Sequence, residues 1–330
     1  PAMHIEFNCV GVVGAGAMGR GIAQIAAQAG SRVLLFDNSP TACEKAIAAV
    51  HEQWDKLAAK GRLTPEQVQT HKSHLQIAAA LDEFKACDLV IEAIVERLDV
   101  KQALFKDLES RVDDTVVLVT NTSSLSVTAI AAALRLPGRF AGYHFFNPVP
   151  LMKVVEVIAG LKTAPEVCAR LSRYAQQMGH QAVTAQDTPG FIVNHAGRGY
   201  GTEALRLVSE GVCDFATADR ILKDQVGFRL GPFELLDLTA LDVSHPVMES
   251  IYRQYYDEPR YRPSVITAQR LAGGVLGKKT GDGFYAYDEG RARLAPEPPV
   301  PEVDSMPPVW VSTRAARRSE LLQLLKNLGA

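Results

Sequence analysis

Residues 7–37 read FNCVGVVGAGAMGRGIAQIAAQAGSRVLLFD, and this stretch decides the fold. An apolar run with β-branched residues ends at a glycine cluster, a helical stretch rich in Ala and Ile starts at Arg20, and a second apolar run ends at Asp37. A strand, a turn, a helix and a second strand in this order form a βαβ unit, which nearly always builds a parallel sheet. We therefore predict an α/β domain at the start of the chain.

The turn after the first strand contains the pattern GxGxxG, formed by Gly14, Gly16 and Gly19, with Met18 inside it. The first glycine permits a tight turn, the second lets the backbone approach a pyrophosphate, and the third lets the helix pack closely on the sheet. The N-terminus of that helix presents N–H groups and the positive end of its dipole to phosphates. The pattern predicts a dinucleotide site; the alternative is a structural glycine turn in another doubly wound protein.

Asp37 ends the second strand, at the position where a carboxylate accepts hydrogen bonds from the ribose hydroxyls of a dinucleotide. The same carboxylate repels a 2′-phosphate, and residues 38–40 supply no arginine that would neutralise one. We therefore predict NAD as the cofactor and disfavour NADP.

The rest of the chain divides by its periodicity. Two amphipathic helical patterns, at residues 40–60 and 64–74, interrupt the strand–helix alternation and predict a helical insertion at about 40–80. The alternation then resumes, and over residues 191–271 nearly everything has helical spacing. We predict a doubly wound Rossmann-like domain over 1–187, an all-helical domain over 188–287, and a Pro-rich linker with a terminal helix over 288–330.

Composition excludes several classes of protein. The 330 residues are 47% hydrophobic and 22% charged, with 35 basic and 37 acidic side chains and a net charge of −2. This balance gives no global electrostatic reason to bind nucleic acid or an anionic membrane, and no apolar run is long enough to span a bilayer. The five cysteines are dispersed, which favours reduced thiols in the cytoplasm and no metal site.

His144 and Glu156 are the candidate acid–base pair. His144 lies near the end of a predicted strand, where ligands bind in such sheets, and Glu156 lies between valines on a strand that returns after a Pro-bounded turn. Histidine accepts a hydroxyl proton near neutral pH, and a carboxylate stabilises its cation. From spacing alone, a structural histidine and a simple edge-strand charge remain the alternatives.

Seven ordered motifs over about residues 7–287 resemble the NAD-dependent L-3-hydroxyacyl-CoA dehydrogenase family. Besides the glycine fingerprint these are VIEAIVERLDVK, NTSSL, HFFNPVPLMKVVEVI, DTPGFIVN, GFRLGPFELLDLTALDV and KKTGDGFYAY. The resemblance implies a helical pair inserted in the Rossmann-like domain, oxidation of a 3-hydroxyacyl-CoA thioester, and a homodimer formed through the helical domain.

The resemblance also implies site residues. His144 resembles the family's catalytic base and Glu156 its partner carboxylate, Ser123 and Asn147 resemble groups that hold the substrate, and Asn194 resembles an asparagine at the rim. Glu96 and Lys101 resemble contacts to NAD, and Lys56 or Lys60 would meet the phosphates of coenzyme A. In the segment after GPF the family commonly has glycine where this chain has Ala240, and we expect only a minor change of helical packing there.

The end of the chain resembles the larger bacterial members of the family, among them 3-hydroxyadipyl-CoA dehydrogenases of phenylacetate breakdown, which carry a second helical domain. We therefore expect a shortened form of such a protein. A substrate with a terminal carboxylate needs a cation, and Arg198 is the candidate. The alternatives are a dehydrogenase of a free hydroxy acid on the same fold and an NAD-binding protein without catalysis.

Overall fold

The computed structural model describes residues 4–300, 302, 305 and 307–329. Its main feature is an eight-stranded sheet in the order β3-β2-β1-β4-β5-β6-β7-β8. The strands are β1 Cys9–Val13, β2 Arg32–Phe36, β3 Leu75–Ile77, β4 Leu89–Glu92, β5 Val117–Thr120, β6 Phe140–Phe145, β7 Val154–Ala159 and β8 Gln181–Gln186. All neighbours pair parallel except β6 and β7, which pair antiparallel.

The glycine loop has the tight geometry that its sequence predicts. Gly14 has a φ of +107°, and a Cβ built on it would lie 2.3 Å from the carbonyl oxygen of Ala93. A Cβ on Gly19 would lie 1.7 Å from the carbonyl oxygen of Gly14, so the helix that follows packs directly on the loop. Only glycine fits either position.

Six helices cover the two faces of the sheet: α1 Ala17–Ala29, α2 Pro40–Ala59, α3 Pro65–His74, α4 Leu98–Arg111, α5 Val127–Ala131 and α6 Pro165–Gln177. Buried clusters lie on both faces, and strands with apolar residues on both sides are typical of a covered parallel sheet. The predicted helical pair is present as α2 and α3. Strands β3 and β8 and helix α6 were not among the predicted elements.

Strand β7 turns back beside β6 because only residues 146–153 connect them, which is too short for a parallel crossover. The segment contains Pro148 and Pro150, which favour a turn. This hairpin decides which side chains of the two strands face each other.

The second part of the chain is helical, as predicted, which confirms the fold class: a Rossmann-like sheet followed by a helical region. Its helices are α7 Val193–Ser209, α8 Phe215–Arg220, α9 Pro232–Thr239, α10 Leu241–Gln254 and α11 Val265–Ala272. They surround a separate buried cluster that includes Phe233, Leu241 and Phe284. A short hairpin that was not predicted follows, with β9 Ala286–Asp288 paired to β10 Arg291–Arg293.

Ala240 corrects one expectation about the helical region. It joins α9 to α10 with a φ of +67° and a ψ of 143°, a backbone conformation that favours glycine. Alanine in place of the family's common glycine therefore strains the backbone at this helix junction, which is more than the minor change of helical packing that we expected.

The described tail ends in a helix, α12 Arg318–Asn327, close to the predicted one at 315–328. Leu321, Leu322 and Leu324 on this helix are each more than a third exposed. Residues 301, 303, 304 and 306 of the predicted Pro-rich linker lie outside the described residues. A search of the described residues finds no helix that is both long and apolar enough for a membrane span.

Candidate active site

His144 and Glu156 face each other across the β6–β7 hairpin. They are directly opposite in the antiparallel register, so both side chains point to the same face of the sheet. The ring nitrogen Nδ1 of His144 lies 2.9 Å from Oε2 of Glu156, and the two residues are 5% and 1% exposed. The arrangement has the geometry of a histidine oriented by a buried carboxylate.

The second carboxylate oxygen of Glu156 is also bound. Oε1 accepts a hydrogen bond of 2.8 Å from the backbone N–H of Val193, the first residue of α7. One carboxylate thus links the sheet, the histidine and the start of the helical region. Because both of its oxygens are held, the Glu156 carboxylate cannot rotate without losing a hydrogen bond.

His144 opens into a cavity of about 390 Å³ at the end of the sheet strands. The Phe146 ring lies 4.5 Å from the imidazole between centroids, and Phe191 lies 5.7 Å away. Within the part of the chain that the structure describes, Nε2 of His144 makes no hydrogen bond. This nitrogen is therefore the one available to a ligand in the cavity.

The predicted substrate residues meet at this cavity. Its walls include Met18, Ala93, Ile94, Glu96, Lys101, Asn121, Ser123, His144, Phe146, Asn147, Asn194 and Val243. Ser123 and Asn147 come from the loops after β5 and β6, and Asn194 comes from the first turn of α7. The structure thus brings together groups from both parts of the chain around one histidine.

A second cavity, of about 580 Å³, follows the glycine loop and shares Ala93 and Ile94 with the first. It contains Gly16, Asp37 and the start of α4, at the point between β1 and β4 where the strand order reverses. Nucleotides bind at such switch points. A Cβ built on Gly16 would meet no atom within 4 Å, so the loop is open where a pyrophosphate approaches.

Asp37 organises the loop that it faces. Its Oδ2 accepts a hydrogen bond of 2.9 Å from the N–H of Ala15, and its Oδ1 accepts one of 2.9 Å from the N–H of Ser39. Each carboxylate oxygen keeps a second lone pair for a ribose hydroxyl. No acidic residue lies in the first turn of α1, so the helix N-terminus is free to meet a phosphate.

Glu96 and Lys101 belong to a charged cluster beside the cavity. Lys101 is 1% exposed, and its Nζ lies 2.5 Å from Glu92 Oε2 and 3.5 Å from Glu96 Oε1. Glu96 also accepts hydrogen bonds from the hydroxyl groups of Thr122 and Ser123 and from the N–H of Ser123. Burial acts to raise the pKa of Glu96, but Lys101 and these hydrogen bonds outweigh it and hold the pKa below its usual range.

The two lysines proposed for coenzyme A differ in position. Lys56 lines a cleft of about 330 Å³ between α1, α2 and the β6–β7 turn, together with Arg20, Gln53 and Asn147. Its Nζ pairs with Glu52 at 2.6 Å. Lys60 follows α2 as an exposed residue that does not line this cleft. The structure therefore places only Lys56 next to the active-site loop.

Several site residues were not predicted. Arg20 directly follows Gly19 in the first turn of α1, and Glu92 ends β4. Asn121 follows β5, and its Oδ1 accepts a hydrogen bond from the N–H of Phe145. Asn121 begins the NTSSL motif at a strand end, which is the signal that would have found it. The N–H of Val193, which donates to Glu156, could not have been found from the sequence, because a backbone donor does not depend on the residue type.

Family models match nearly the whole folded region. The model described as the 3-hydroxyacyl-CoA dehydrogenase NAD-binding domain matches residues 9–188, and the one described as the C-terminal domain matches 190–287. The chain belongs to the 3-hydroxyacyl-CoA dehydrogenase family. The resemblance inferred from the motifs is confirmed, and the first part of the chain is the family's NAD-binding domain, to which the open glycine loop, the helix N-terminus and Asp37 are suited.

Members of the family from bacteria and animals are similar to this chain. The 3-hydroxyadipyl-CoA dehydrogenase of Escherichia coli K12 is 43% identical over 285 residues, which are 86% of this chain and 60% of that protein. The human mitochondrial hydroxyacyl-coenzyme A dehydrogenase is 39% identical over 292 residues, 87% of this chain and 93% of that protein. The chain thus spans less than two thirds of the length of the E. coli relative.

The solved structures agree. A crystal structure of 3-hydroxybutyryl-CoA dehydrogenase from E. coli K12 superposes with a TM-score of 0.87 at 40% identity, covering 94% of this chain and 65% of that one. The crystal structure of (S)-3-hydroxybutyryl-CoA dehydrogenase PaaH1 from Ralstonia eutropha superposes with a TM-score of 0.83 at 37% identity. The match covers 86% of this chain and all of that one.

Proposed function

We propose that the chain catalyses the reversible NAD-dependent oxidation of a (S)-3-hydroxyacyl-CoA to the 3-oxoacyl-CoA. The observation that carries the proposal is the buried His144–Glu156 pair at a cavity that adjoins the nucleotide crevice. Family membership supports the substrate class, since the similar proteins are named as dehydrogenases of 3-hydroxyacyl-CoA thioesters.

His144 is the proposed general base. Its Nδ1 donates to Glu156, so Nε2 accepts the proton of the 3-hydroxyl group, and the carboxylate stabilises the imidazolium that forms. Asn147 and Ser123 line the same cavity and are positioned to hold the oxygen atoms of the substrate. NAD, when bound, supplies the acceptor for the hydride from C3. Burial of the pair excludes water and strengthens its electrostatic interaction.

The remaining predicted contacts are consistent with this proposal. Gly14, Gly16, Gly19 and Asp37 would hold the dinucleotide on one side, with Met18, Glu96 and Lys101 nearer the nicotinamide. Asn194 would close the rim of the cavity. We propose the cleft with Lys56 and Arg20 for the phosphates of coenzyme A, since both cations face it next to Asn147.

The assembly and location are further parts of the proposal. We infer a division into two domains near residue 188 and a homodimer formed through the helical one. Its surface leaves large apolar side chains more than a third exposed, including Leu207, Phe228 and Leu238, and such surfaces form interfaces. Light scattering after size exclusion tests the dimer.

We also propose a cytoplasmic location, because all five cysteines are free thiols and the sulfur atoms of Cys9 and Cys87 lie 3.6 Å apart without a disulfide.

One experiment tests the activity. NADH absorbance is followed with 3-hydroxybutyryl-CoA, longer 3-hydroxyacyl-CoA thioesters and the matching free acids. We expect turnover of the (S)-thioesters and little turnover of the free acids. Equal turnover of the free acid would replace the proposal with a hydroxy-acid dehydrogenase, and no turnover of any substrate with intact NAD binding would indicate a binding protein.

A further inference from the structure

His180 is a second buried histidine of the NAD-binding domain, placed between α6 and β8 and 3% exposed. Its ring packs edge-on against the ring of Phe145, with 5.7 Å between the centroids. Successive side chains on a strand point to opposite faces of the sheet, so Phe145 and the imidazole of His144 lie on different faces. His180 is accordingly not among the residues that line the cavity of His144.

Both ring nitrogens of His180 face backbone carbonyl groups. Nε2 lies 3.0 Å from the carbonyl oxygen of Val149, and Nδ1 lies 3.3 Å from that of Met178. Burial lowers the pKa of His180, so the ring is neutral at neutral pH and carries a single N–H. The shorter contact indicates that this N–H is on Nε2, which donates to Val149.

Val149 is held on two sides. It is 1% exposed, and among the described residues His180 donates the only hydrogen bond that the Val149 carbonyl oxygen accepts. The Val149 side chain lies directly against α1, because a Cβ built on Gly21 would come within 2.7 Å of the Cβ of Val149. The side chain is therefore fixed by α1 and the carbonyl group by His180.

Val149 lies in the middle of the turn that connects β6 to β7. Residues 147–151 of this turn line the cleft that we propose for the phosphates of coenzyme A. Asn147 of the same turn also lines the cavity of His144. A shift of the turn would therefore change the shape of the cleft and the position of the Asn147 amide together.

We propose that His180 is a positioning residue, whose Nε2–H holds the β6–β7 turn in the conformation that binds the coenzyme A end of the substrate. This inference rests on the proposed function and adds to it a residue outside both cavities. Removal of the donor leaves a buried carbonyl oxygen without a partner, which destabilises this conformation of the turn. The walls of the nucleotide crevice include no residue of the turn, so NAD binding should not depend on His180.

Two substitutions of His180 separate the hydrogen bond from the polarity of the side chain. In His180→Gln the amide nitrogen takes nearly the place of Nε2 and can still donate to Val149. In His180→Asn the amide reaches only the place of Nδ1, so this donor is lost. We expect His180→Asn to raise KM for 3-hydroxybutyryl-CoA about tenfold, with a smaller fall in kcat and an unchanged KM for NAD. His180→Gln should return KM for the thioester to near the wild-type value.

His74→Gln is the matched control. Nδ1 of His74 on α3 lies 3.1 Å from the carbonyl oxygen of Ala27, and His74 lines neither the cleft nor the cavity. Glutamine moves the donor away from the place of Nδ1, and KM for the thioester should stay unchanged.

Three results would overturn the proposal: a wild-type KM for the thioester in His180→Asn, an equal rise in His180→Gln, or an equal rise of KM for the thioester and for NAD. The last result is the mark of a general loss of structure. A wild type that oxidises no thioester would instead overturn the proposed function.

A measurement on the wild type covers the case in which His180→Asn does not fold. Nitrogen NMR spectra of protein with isotope-labelled histidine report which ring nitrogen carries the proton, and the His180 signals are assigned by their absence in His180→Gln. We expect the proton on Nε2, and a shift of these signals when 3-hydroxybutyryl-CoA is added without NAD. A proton on Nδ1, or signals that do not respond to saturating thioester, would contradict the proposal.

Discussion

Two buried pairs, Lys101–Glu92 and His144–Glu156, lie beside the same cavity. They differ in whether all the polar atoms of the cationic partner have hydrogen-bond partners. In the first, Lys101 binds Glu92 at 2.5 Å and Glu96 at 3.5 Å, while Glu92 also accepts hydrogen bonds from the hydroxyl of Thr120 and the N–H of Ile94. In the second, Glu156 holds one nitrogen of His144 and leaves the other without a hydrogen bond to the described residues. The lysine pair is complete, whereas the histidine pair keeps one atom for a ligand.

This difference separates stability from catalysis. A fully bonded buried ion pair fixes the end of β4 and the start of α4, and removing one partner leaves the other charged and unpaired. A histidine with one free nitrogen can exchange a proton with a bound molecule. We therefore expect changes in the first pair to lower the free energy of unfolding and changes in the second to lower turnover.

The largest effect is expected for His144→Gln. Glutamine fills similar space but cannot take the hydroxyl proton, so kcat should fall by about 10²–10⁴-fold. NADH absorbance in the steady state measures this, and calorimetric titration with NAD should show unchanged binding. Near-normal turnover would remove His144 from the catalytic role.

Breaking the complete pair tests the other half of the comparison. Lys101→Met leaves Glu92 buried without a cation and should lower the free energy of unfolding by about 3–5 kcal/mol. Urea denaturation followed by circular dichroism measures the change. The double variant Glu92→Gln with Lys101→Met removes both charges and should recover most of the lost free energy of unfolding. If Lys101→Met alone unfolds with a free energy within about 1 kcal/mol of the wild type, as for a typical surface pair, the buried pair contributes little to stability.

Glu156→Gln tests whether the histidine needs a charged partner. The amide can still accept from Nδ1, but it loses the charge that stabilises the imidazolium. A hydrogen bond to a charged group is worth about 1.5–3 kcal/mol, so kcat should fall roughly ten- to hundredfold. Stopped-flow traces of NADH formation check this. A loss as large as that of His144→Gln would mean that the glutamate does more than orient and stabilise the ring.

Glu96 gives the smallest expected effect, and it depends on pH. Its pKa is lowered in the folded protein, so the ionised form stabilises the fold above the unfolded value of about 4.5, and this stabilisation is lost as the pH falls through the folded value. Glu96→Gln should therefore destabilise the protein at pH 7 by less than about 1 kcal/mol, since the side chain is partly exposed and screened. The difference between the urea midpoints of the two proteins should shrink as the pH falls below about 4.5, the unfolded value. A difference that grows as the medium becomes more acidic would contradict this.

The sequence predicted those parts of the site in which the local backbone conformation or the local pattern of apolar residues requires a particular residue type. Gly14 and Gly19 are required by close backbone contacts, and the ends of β1 and β2 follow from their apolar runs. The facing of His144 and Glu156 depends on the register of a hairpin, which their spacing of 12 residues allows but does not fix. The family resemblance supplied that step, and the structure gives the contact.

What the sequence did not predict depends on contacts between distant backbone groups or on weak patterns. The bond from Val193 to Glu156 spans 37 residues and has a backbone donor, so no side chain reports it. Strand β8 reads QAVTAQ and strand β3 has three residues, which are too polar or too short to stand out. The family resemblance assigned Lys101 to the cofactor; its pairing with Glu92 depends on how α4 packs against β4, which the sequence does not reveal. The contact of Glu96 and Lys101 with NAD stays a prediction.

The hydrogen bond from Val193 to Glu156 has a consequence for how the protein could be divided. The glycine loop and Asp37 lie wholly in the first part of the chain, so a fragment that ends before α7 keeps every group that faces the nucleotide crevice. The same fragment loses the amide that anchors Glu156 and loses Asn194. Under the proposed function, nucleotide recognition would therefore be a property of the first part of the chain alone, whereas proton transfer would depend on contacts between the two parts.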